Sequence, residues 1–335
     1  MYGDICLSKF KVAITDSDYE DHDIEEKILS SIGADLIKFQ CKTEDDVIKY
    51  CKDADGLLNQ YAPITKRVIE NLQKTKIIVR CGVGVDNIDV EAATKKGILV
   101  ANVIYDVTDV ADHTVGLILS LIRKIPWADR KVKNNIWDWK NMRPISRLKG
   151  KTVGIIGFGR IGRKVAQRLK GFEVEIIAYD PYVSMEVFNK YGVKRVDFEN
   201  LISEADIITI HTPLTNETRH MIGEKEFKSM KRNAIIVNTS RGGVIDEKAL
   251  YKALKEKWIA GAGLDVMEKE PPEKDNPILK LDNVIVTPHM AWYSENSFNE
   301  VRKIAAEEVA RVLTGQTPIN LVNKNVLKNE FLKIM

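Results

Sequence analysis

Two kinds of hydrophobic pattern alternate along the chain. Short runs of apolar, β-branched residues are separated by longer segments whose apolar positions recur at helical spacing. This alternation is typical of a parallel α/β sheet. In the first hundred residues it predicts strands at residues 11–15, 34–39, 56–59, 76–80 and 99–101, and helices at 20–31, 44–52, 66–71 and 89–96. These elements predict a small doubly wound domain.

The next segment is predicted to lead from this domain into a second one. Residues 108–125 carry apolar side chains at helical spacing and predict a long bridging helix. A second helix is predicted from residue 126 to about residue 140, where basic residues alternate with apolar ones. A polar connector over residues 141–149 then leads into the next strand.

A second series of strands and helices follows. Its strands are predicted at residues 153–156, 175–179, 207–211, 234–238, 261–265 and 284–286, and its helices near 162–170, 199–205, 224–229 and 248–256. Six strands with helices between them match a complete dinucleotide-binding sheet. A last helix over residues 294–313 is predicted to cross back to the first domain. The fold class is therefore α/β, with two doubly wound, Rossmann-like parallel-sheet domains and a cleft between them.

Composition narrows the class of protein. The 335 residues suffice for two domains, and a net charge of +3 with both signs interspersed is too mild for a nucleic-acid or membrane surface. The start of the chain lacks the long apolar run of a signal peptide, so we expect a cytoplasmic protein. The cysteines lack the spacing of a metal or disulfide framework and are interpreted as reduced thiols, with no metal site: Cys6, Cys41, Cys51 and Cys81.

A glycine-rich turn is the strongest local signal for a ligand. Gly157, Gly159 and Gly162 form a GxGxxG pattern that follows an apolar strand and opens a helix. The first glycine permits a tight turn, the second lets the backbone approach a pyrophosphate, and the third lets helix and strand pack closely. Amide groups at the helix start then face the anion. This context predicts a dinucleotide site.

An acidic residue is placed to select the nucleotide. Asp180 ends the predicted strand 175–179, where a carboxylate can accept hydrogen bonds from ribose hydroxyls and repel a 2′-phosphate. This favours NAD over NADP, although a turn aspartate before Pro181 is the alternative. Further polar or small residues end strands at the same sheet edge, where ligands of open α/β sheets bind: His211, Thr212, Pro213, Thr239, Ser240, Arg241 and Asp265.

Hydride chemistry on a keto acid would need three kinds of side chain. A histidine can supply the proton, an arginine fork suits the carboxylate, and an acid beside the histidine holds its tautomer. Of the five histidines, His211 and His289 follow apolar strands, and His289 comes where the chain turns back. Arg241 precedes two glycines that leave its guanidinium room. The acid is open at this point, because spacing does not separate the candidates Glu268, Glu270 and Glu273.

Five segments resemble the D-2-hydroxyacid dehydrogenase family, whose members are NAD-dependent enzymes. They are VRCGVGVDNID at residues 79–89, VGIIGFGRIGR at 153–163, VNTSRGGVIDEKAL at 237–250, GLDVMEKEPP at 263–272 and VTPHMAWYS at 286–294. The resemblance runs from about residue 50 to about residue 320. It implies an oxidoreductase that interconverts a 2-keto acid and a D-2-hydroxy acid.

The resemblance also implies roles for individual residues. Arg241 orients the substrate, His289 gives or takes the proton, and Glu270, in the family's EP position, holds His289. Backbone groups near Val83 and Gly84 would receive the substrate carboxylate. The implied cofactor-contacting set is Thr108, Gly157, Phe158, Gly159, Arg160, Ile161, Gly162, Asp180, Pro181, His211, Thr212, Pro213, Thr218, Thr239, Ser240, Arg241, Asp265, His289 and Ala291.

The resemblance implies a domain division and an oligomeric state. Residues 1–103 and 291–335 would form a discontinuous substrate-binding domain, and residues 104–290 the NAD-binding domain. Family members are dimers, so we expect a homodimer through the NAD domains, with residues 125–139 as part of the contact. Around His289 the motif is most similar to the branch that includes the C-terminal-binding-protein corepressors. Trp292 would then contact the substrate, or else pack as a structural aromatic.

Two alternatives remain open. One is a redox-sensing regulator of corepressor type that binds NADH, which the absence of the corepressors' long extensions disfavours. The other is phosphoglycerate dehydrogenase, which would need a basic phosphate pocket near residues 59–64 and usually has a regulatory extension. That segment, NQYAPI, contains no Lys or Arg. The sequence therefore favours a dehydrogenase of small 2-keto acids.

Overall fold

The computed structural model describes residues 9–328. Cys6 and most of the N-terminal segment interpreted above lie outside these residues. The described strands are β1 Phe10–Ile14, β2 Ala34–Lys38, β3 Gly56–Asn59, β4 Ile77–Arg80, β5 Leu99–Ala101, β6 Thr152–Ile156, β7 Glu175–Tyr179, β8 Lys194–Arg195, β9 Ile207–Ile210, β10 Ile235–Asn238, β11 Gly261–Leu264 and β12 Val284–Val286. The described helices are α1 Asp23–Ser30, α2 Glu44–Cys51, α3 Lys66–Asn71, α4 Val90–Lys96, α5 Thr108–Arg123, α6 Ile125–Lys133, α7 Arg160–Leu169, α8 Met185–Tyr191, α9 Phe198–Glu204, α10 Glu224–Ser229, α11 Glu247–Lys255 and α12 Glu295–Leu313.

The chain divides into two compact units. Unit 1 runs to Asp106 and resumes at Ser294, and unit 2 is Val107–Tyr293. Each contains one sheet whose neighbouring strands are all parallel, in the order β2-β1-β3-β4-β5 in unit 1 and β12-β11-β10-β9-β6-β7-β8 in unit 2. The prediction of two doubly wound parallel-sheet domains is confirmed.

Local chemistry sets the helix ends of unit 1. The Thr43 side chain accepts a hydrogen bond from the Asp46 amide while Asp46 accepts one from the Thr43 amide, which forms a capping box at α2. Helix α4 ends at Gly97, which adopts a left-handed conformation with φ of 80°. These caps satisfy backbone groups that a helix leaves unpaired, so they fix where each helix starts and stops.

A buried ion pair ties α12 to α1 within unit 1. Arg302 is 3% exposed and Glu25 is 3% exposed. The Arg302 Nε lies 2.9 Å from one Glu25 carboxylate oxygen, and its Nη2 lies 2.8 Å from the other. That nitrogen also donates to the carbonyl and the carboxylate of Asp21. The two helices are thus joined across 277 positions of sequence by a pair with little access to water.

Two details of unit 2 differ from the predictions. Its sheet has seven strands, because β8 and the preceding α8 were missed; β8 is two exposed residues and carries no apolar pattern. The helix predicted over residues 126–140 ends at Lys133 instead. Asn135 has φ of 62°, a left-handed conformation that stops the helix, and Trp139–Met142 forms a separate 3₁₀ turn.

No helix within residues 9–328 combines the length and the apolar character that crossing a bilayer requires. Three cysteines lie in the described part, and Cys41, Cys51 and Cys81 are all free thiols there.

Candidate active site

A histidine and a glutamate of unit 2 form a close pair. His289 follows β12, and its Nδ1 lies 2.5 Å from Oε2 of Glu270. The other carboxylate oxygen of Glu270 accepts a hydrogen bond of 3.0 Å from the Met267 amide. The pair is partly open, with 26% of the His289 side chain and 34% of the Glu270 side chain exposed. Glu270 therefore fixes one ring nitrogen of His289 while the pair keeps access to solvent.

The electrostatics of Glu270 favour its charged form. Burial would raise the pKa of this carboxyl, but the hydrogen bond and charge of His289 outweigh burial, together with the Met267 amide and the charge of Arg241. The net effect holds the pKa of Glu270 below its usual value. Since Arg241 contributes to this shift, the structure brings the three predicted catalytic residues into one electrostatic neighbourhood.

The structure separates the three candidate acids that the sequence left open. Glu268 pairs with His220 at 2.9 Å and accepts a hydrogen bond from the Glu247 amide. Glu273 pairs with Lys269 on the surface. Glu270 contacts His289, as the family resemblance implied, whereas spacing alone could not choose among the three without the path of the loop between β11 and β12.

Arg241 lies at the end of β10, in a turn held by Asn238. The Asn238 side chain donates to the Arg241 carbonyl at 2.9 Å and accepts from the Ser240 amide and hydroxyl. Gly242 is required beside it, because a Cβ there would come within 2.0 Å of the Met267 backbone. The turn is thereby packed against the loop that carries Glu270, which explains why Arg241 affects that carboxyl. Neighbouring Thr239 is buried and its hydroxyl lies 2.8 Å from that of Thr114.

The glycine-rich turn has the geometry that its motif predicts. Gly157 has φ of 87°, and a Cβ there would lie 2.6 Å from the His211 carbonyl oxygen. At Gly162 a Cβ would lie 2.3 Å from the Gly157 carbonyl oxygen, so only glycine lets α7 start this close to β6. An added Cβ at Gly159 would have no neighbour within 4 Å. The Gly159 backbone thus faces open space at the start of α7, where an anion can approach.

Asp180 joins the end of β7 to this turn. Its Oδ2 accepts a hydrogen bond of 2.8 Å from the Phe158 amide. Its Oδ1 accepts from the amides of Tyr182 and Val183. Asp180 is therefore the turn aspartate and also a hydrogen-bond partner of the glycine-rich turn, and its carboxylate has acceptor capacity left for a ribose hydroxyl.

Two polar atoms next to the glycine-rich turn are buried without a partner in the described chain. They are His211 Nδ1 and Thr212 Oγ1, at the end of β9. The other ring nitrogen of His211 lies 2.9 Å from Thr209 Oγ1. Burial lowers the pKa of His211 to about 3, so its ring is neutral at ordinary pH. Buried polar atoms normally have a partner, and a bound ligand at this edge would provide one.

The remaining predicted cofactor residues have varied surroundings. Thr218 donates to the Pro213 carbonyl at 2.6 Å and closes the loop after β9. Thr108 accepts from Lys164 at 2.7 Å, which joins α5 to α7. Phe158 turns its ring into the core, stacked on Phe188 at 4.8 Å. Of the others, Arg160 and Ile161 open α7, Pro181 follows Asp180, and Asp265 and Ala291 are buried beside β11.

The predicted substrate residues fall in both units. In unit 1, Val83 and Gly84 follow β4, and the Val83 carbonyl accepts a hydrogen bond of 2.6 Å from Asn102. In unit 2, Trp292 packs edge-on against Tyr293, with ring centroids 5.7 Å apart.

The arrangement fits a dinucleotide. Gly157 and Gly162 build the tight turn, Gly159 leaves its backbone approachable, and His211 and Thr212 offer unpaired polar atoms at the same sheet edge. These residues could hold the pyrophosphate and neighbouring groups of NAD, while the His289–Glu270 pair could exchange a proton.

Comparison with known proteins agrees with this geometry. Residues 115–291 match the family described as D-isomer specific 2-hydroxyacid dehydrogenase, NAD binding domain. A glyoxylate reductase from Korarchaeum cryptofilum is 45% identical over 287 residues, which cover 84% of this chain and 86% of the relative. A D-3-phosphoglycerate dehydrogenase from Methanocaldococcus jannaschii is 48% identical over 326 residues, 96% of this chain and 61% of the relative.

The chain spans only part of some relatives. It covers 61% and 49% of two D-3-phosphoglycerate dehydrogenases, the second from Archaeoglobus fulgidus. Among solved structures, a D-lactate dehydrogenase from Aquifex aeolicus complexed with NAD and lactic acid superposes with a TM-score of 0.86. It is 31% identical, and the match covers 93% of this chain and 99% of the other.

Proposed function

The chain belongs to the D-isomer-specific 2-hydroxyacid dehydrogenase family, and from this premise we propose that it interconverts a 2-keto acid and a D-2-hydroxy acid with NAD. The observation that carries the proposal is the 2.5 Å contact between His289 and Glu270, next to the positive charge of Arg241. His289 exchanges a proton, Glu270 holds the His289 ring in place, and Arg241 attracts the substrate carboxylate.

His289 is the proposed proton donor and acceptor. Glu270 takes the hydrogen bond of Nδ1, which leaves Nε2 as the nitrogen that addresses the substrate oxygen. As the carbonyl becomes an alkoxide, Nε2 gives up its proton, and in the reverse direction it takes the proton back. The charged Glu270 stabilises the imidazolium form that is needed for reduction.

Arg241 is the proposed anchor of the substrate carboxylate, because its planar fork can form two parallel hydrogen bonds with it. The backbone near Val83 and Gly84, and the ring of Trp292, are proposed as further substrate contacts on the strength of the family resemblance. The resemblance of this segment to the corepressor branch stays a prediction.

NAD would supply or accept the hydride when bound. The glycine-rich turn is proposed to hold its pyrophosphate, and Asp180 its adenosine ribose. A negative charge at Asp180 would disfavour a 2′-phosphate, which is the basis for proposing NAD over NADP. We also propose that the remaining residues of the predicted cofactor-contacting set, most of which lie at strand ends, contact NAD.

The test is a substrate panel with the purified protein. Glyoxylate and longer 2-keto acids are offered with NADH or NADPH, and D-lactate and D-3-phosphoglycerate with NAD. Turnover of at least one of these acids with the NAD form preferred, and its loss in His289→Ala with NADH binding nearly intact, is expected. NADH binding without turnover of any acid would instead favour the regulatory protein.

A homodimer in the cytoplasm completes the proposal. The segment 125–139 of unit 2 exposes a run of large apolar side chains, and Trp137 is 88% and Trp139 67% exposed. Such a patch is typical of a protein–protein contact. The proposal of a reducing compartment is based on the cysteine spacings, which match neither a disulfide framework nor a metal site.

A further inference from the structure

The loop that carries His289 is held from behind by one buried carboxylate. Asp265 follows β11, and 1% of its side chain is exposed. Its Oδ1 accepts from the Thr287 hydroxyl at 2.6 Å and from the Met290 amide at 2.9 Å, and its Oδ2 accepts from the Ala291 amide at 2.9 Å. Its carbonyl accepts from the His289 amide at 2.8 Å. Four groups of the segment 287–291 are thus fixed by one residue.

The segment needs this support because of the backbone of His289. Its φ is 51°, in the left-handed region that residues with a Cβ avoid. Such a conformation persists at a functional site only where the surroundings enforce it. The direction of the His289 ring, and hence its contact with Glu270, depends on that enforcement.

A second histidine contacts the same carboxylate from helix α5. His113 Nε2 lies 3.0 Å from Thr287 Oγ1 and 3.6 Å from Asp265 Oδ1, with 21% of its side chain exposed. His113 belongs to α5, within the segment 108–125 that is predicted as a helix, and its position in that helix predicts no role for it. It reaches across 174 positions to Thr287.

Proton accounting gives this contact a direction. An ionised Asp265 can only accept, so the single hydroxyl proton of Thr287 is used toward Oδ1. The Thr287 oxygen can then only accept from His113, which must carry a proton on Nε2. His113 therefore donates to Thr287 and Thr287 donates to Asp265, while the amides of Met290 and Ala291 donate to the same carboxylate from the segment that carries His289.

We propose that His113 is a positioning residue for His289, acting through Thr287 and Asp265, an inference that rests on the proposed function. Helix α5 packs on β10, β11 and β12, so it is a firm base for this contact. The buried face of α5 is formed by other residues, among them Val110, Thr114 and Leu117. Loss of the imidazole therefore removes a donor while the packing of the helix remains.

The first test observes His289 itself. The imidazole signals of the whole protein are recorded by NMR, with His289 assigned from His289→Ala. His113→Leu, which fills similar space without a donor, is expected to shift or broaden the His289 signal. His113→Gln places an amide N–H close to the Nε2 position and is expected to restore it. A His289 signal that is the same in wild type and His113→Leu would overturn the proposal, whether or not the protein turns over any acid.

The second test uses kinetics with the best acid of the panel. His113→Leu is expected to lower kcat by on the order of tenfold and to leave KM within twofold, because the variant changes the orientation of the His289 ring and not the binding of the substrate. His113→Gln should recover most of kcat, and His220→Leu, at an exposed histidine, should match wild type. An unchanged kcat in His113→Leu, or no recovery in His113→Gln, would contradict the inference.

A double mutant keeps the test decisive where His113→Leu folds poorly. Thr287→Val removes the hydroxyl that His113 contacts, and His113→Ala removes the donor. If the two residues act in one chain, the double variant loses no more kcat than the larger single loss. Multiplying losses would mean that they act independently, which overturns the proposed chain. If the wild type turned over no acid, the proposed function would be rejected. The NMR experiment would still test whether His113 positions His289.

Discussion

Nδ1 of His289 lies 2.5 Å from Oε2 of Glu270, and the backbone of His289 is in the left-handed region. The carboxylate therefore selects which nitrogen of the ring is engaged and which is left for chemistry. The charge of Glu270 and the planar fork of Arg241 each have a consequence for catalysis that can be measured.

Replacing Glu270 by Gln removes a negative charge and keeps the size of the side chain. The imidazolium of His289 loses its stabilising partner, so we expect kcat for reduction to fall by on the order of tenfold. Steady-state kinetics at saturating NADH and neutral pH measure kcat, since the lowered pKa of Glu270 keeps its carboxylate charged there in the unmodified protein. Glu273→Gln, on the same loop, is the matched control, and an equal effect there would refute the role of Glu270.

Replacing Arg241 by Lys keeps the positive charge and removes the planar fork. We expect KM for the keto acid to rise by on the order of tenfold or more, because a bidentate contact becomes a single one. Steady-state kinetics at saturating NADH give the value. Arg232→Lys, at an exposed arginine, should leave KM unchanged. Normal substrate affinity in Arg241→Lys would argue against a carboxylate contact.

His211 should make the protein less stable in acid. Its pKa is lowered by burial to about 3 in the folded chain, whereas an unfolded histidine titrates near about 6.5. Between these values the unfolded state binds one proton more, so the free energy of unfolding falls as pH falls, by up to about 1.4 kcal/mol per unit from this residue. His211→Asn should show a shallower slope in urea unfolding followed by tryptophan fluorescence. Above pH 7 the two slopes should coincide, and identical slopes throughout would contradict the burial argument.

The Arg302–Glu25 pair should stabilise unit 1. Arg302→Leu leaves the buried Glu25 charge without its partner, which costs about 3–5 kcal/mol. The double variant with Glu25→Leu should recover most of the loss. All five tryptophans lie in unit 2. Far-UV circular dichroism should therefore change at lower urea in Arg302→Leu, while tryptophan fluorescence should not. A shift of the fluorescence transition alone would contradict the assignment.

The exposed segment of unit 2 should govern self-association. Trp137→Ser is expected to weaken the proposed dimer by at least about tenfold in Kd, since large buried aromatics dominate such contacts. Sedimentation equilibrium measures this constant. Tyr182→Ser removes another exposed aromatic ring, 82% exposed, and should have no effect. A wild-type monomer, or equal constants in both variants, would reject the segment as a dimer contact.

The sequence determined most of the fold because most elements bury an apolar pattern. Apart from β8, the strands of both sheets and the glycine-rich turn could be located from local spacing alone. The segment α8–β8 could not, because β8 is short and exposed. The helix predicted over residues 126–140 is too long, because the basic and apolar residues keep a helical pattern past Asn135, where a left-handed backbone ends the helix.

A smaller part of the candidate site than of the fold could be predicted from local spacing. Strand ends and the family motifs pointed to His289 and Arg241. Spacing alone could not choose Glu270 over Glu268 and Glu273, because the choice depends on how a loop is folded against the next strand. The contact of His113 with Thr287 joins residues 174 positions apart, and no local pattern encodes such a distance.

The pairing of Glu25 with Arg302 also bears on the order in which the protein is made. Unit 2 is one continuous stretch, whereas unit 1 needs helix α12, which is synthesised after the whole of unit 2. In the nascent chain, unit 2 is therefore expected to fold first, while the N-terminal part of unit 1 remains incompletely folded until α12 is made. During that interval Glu25 and the apolar face opposite α12 are uncovered, which is when a chaperone would have most to bind.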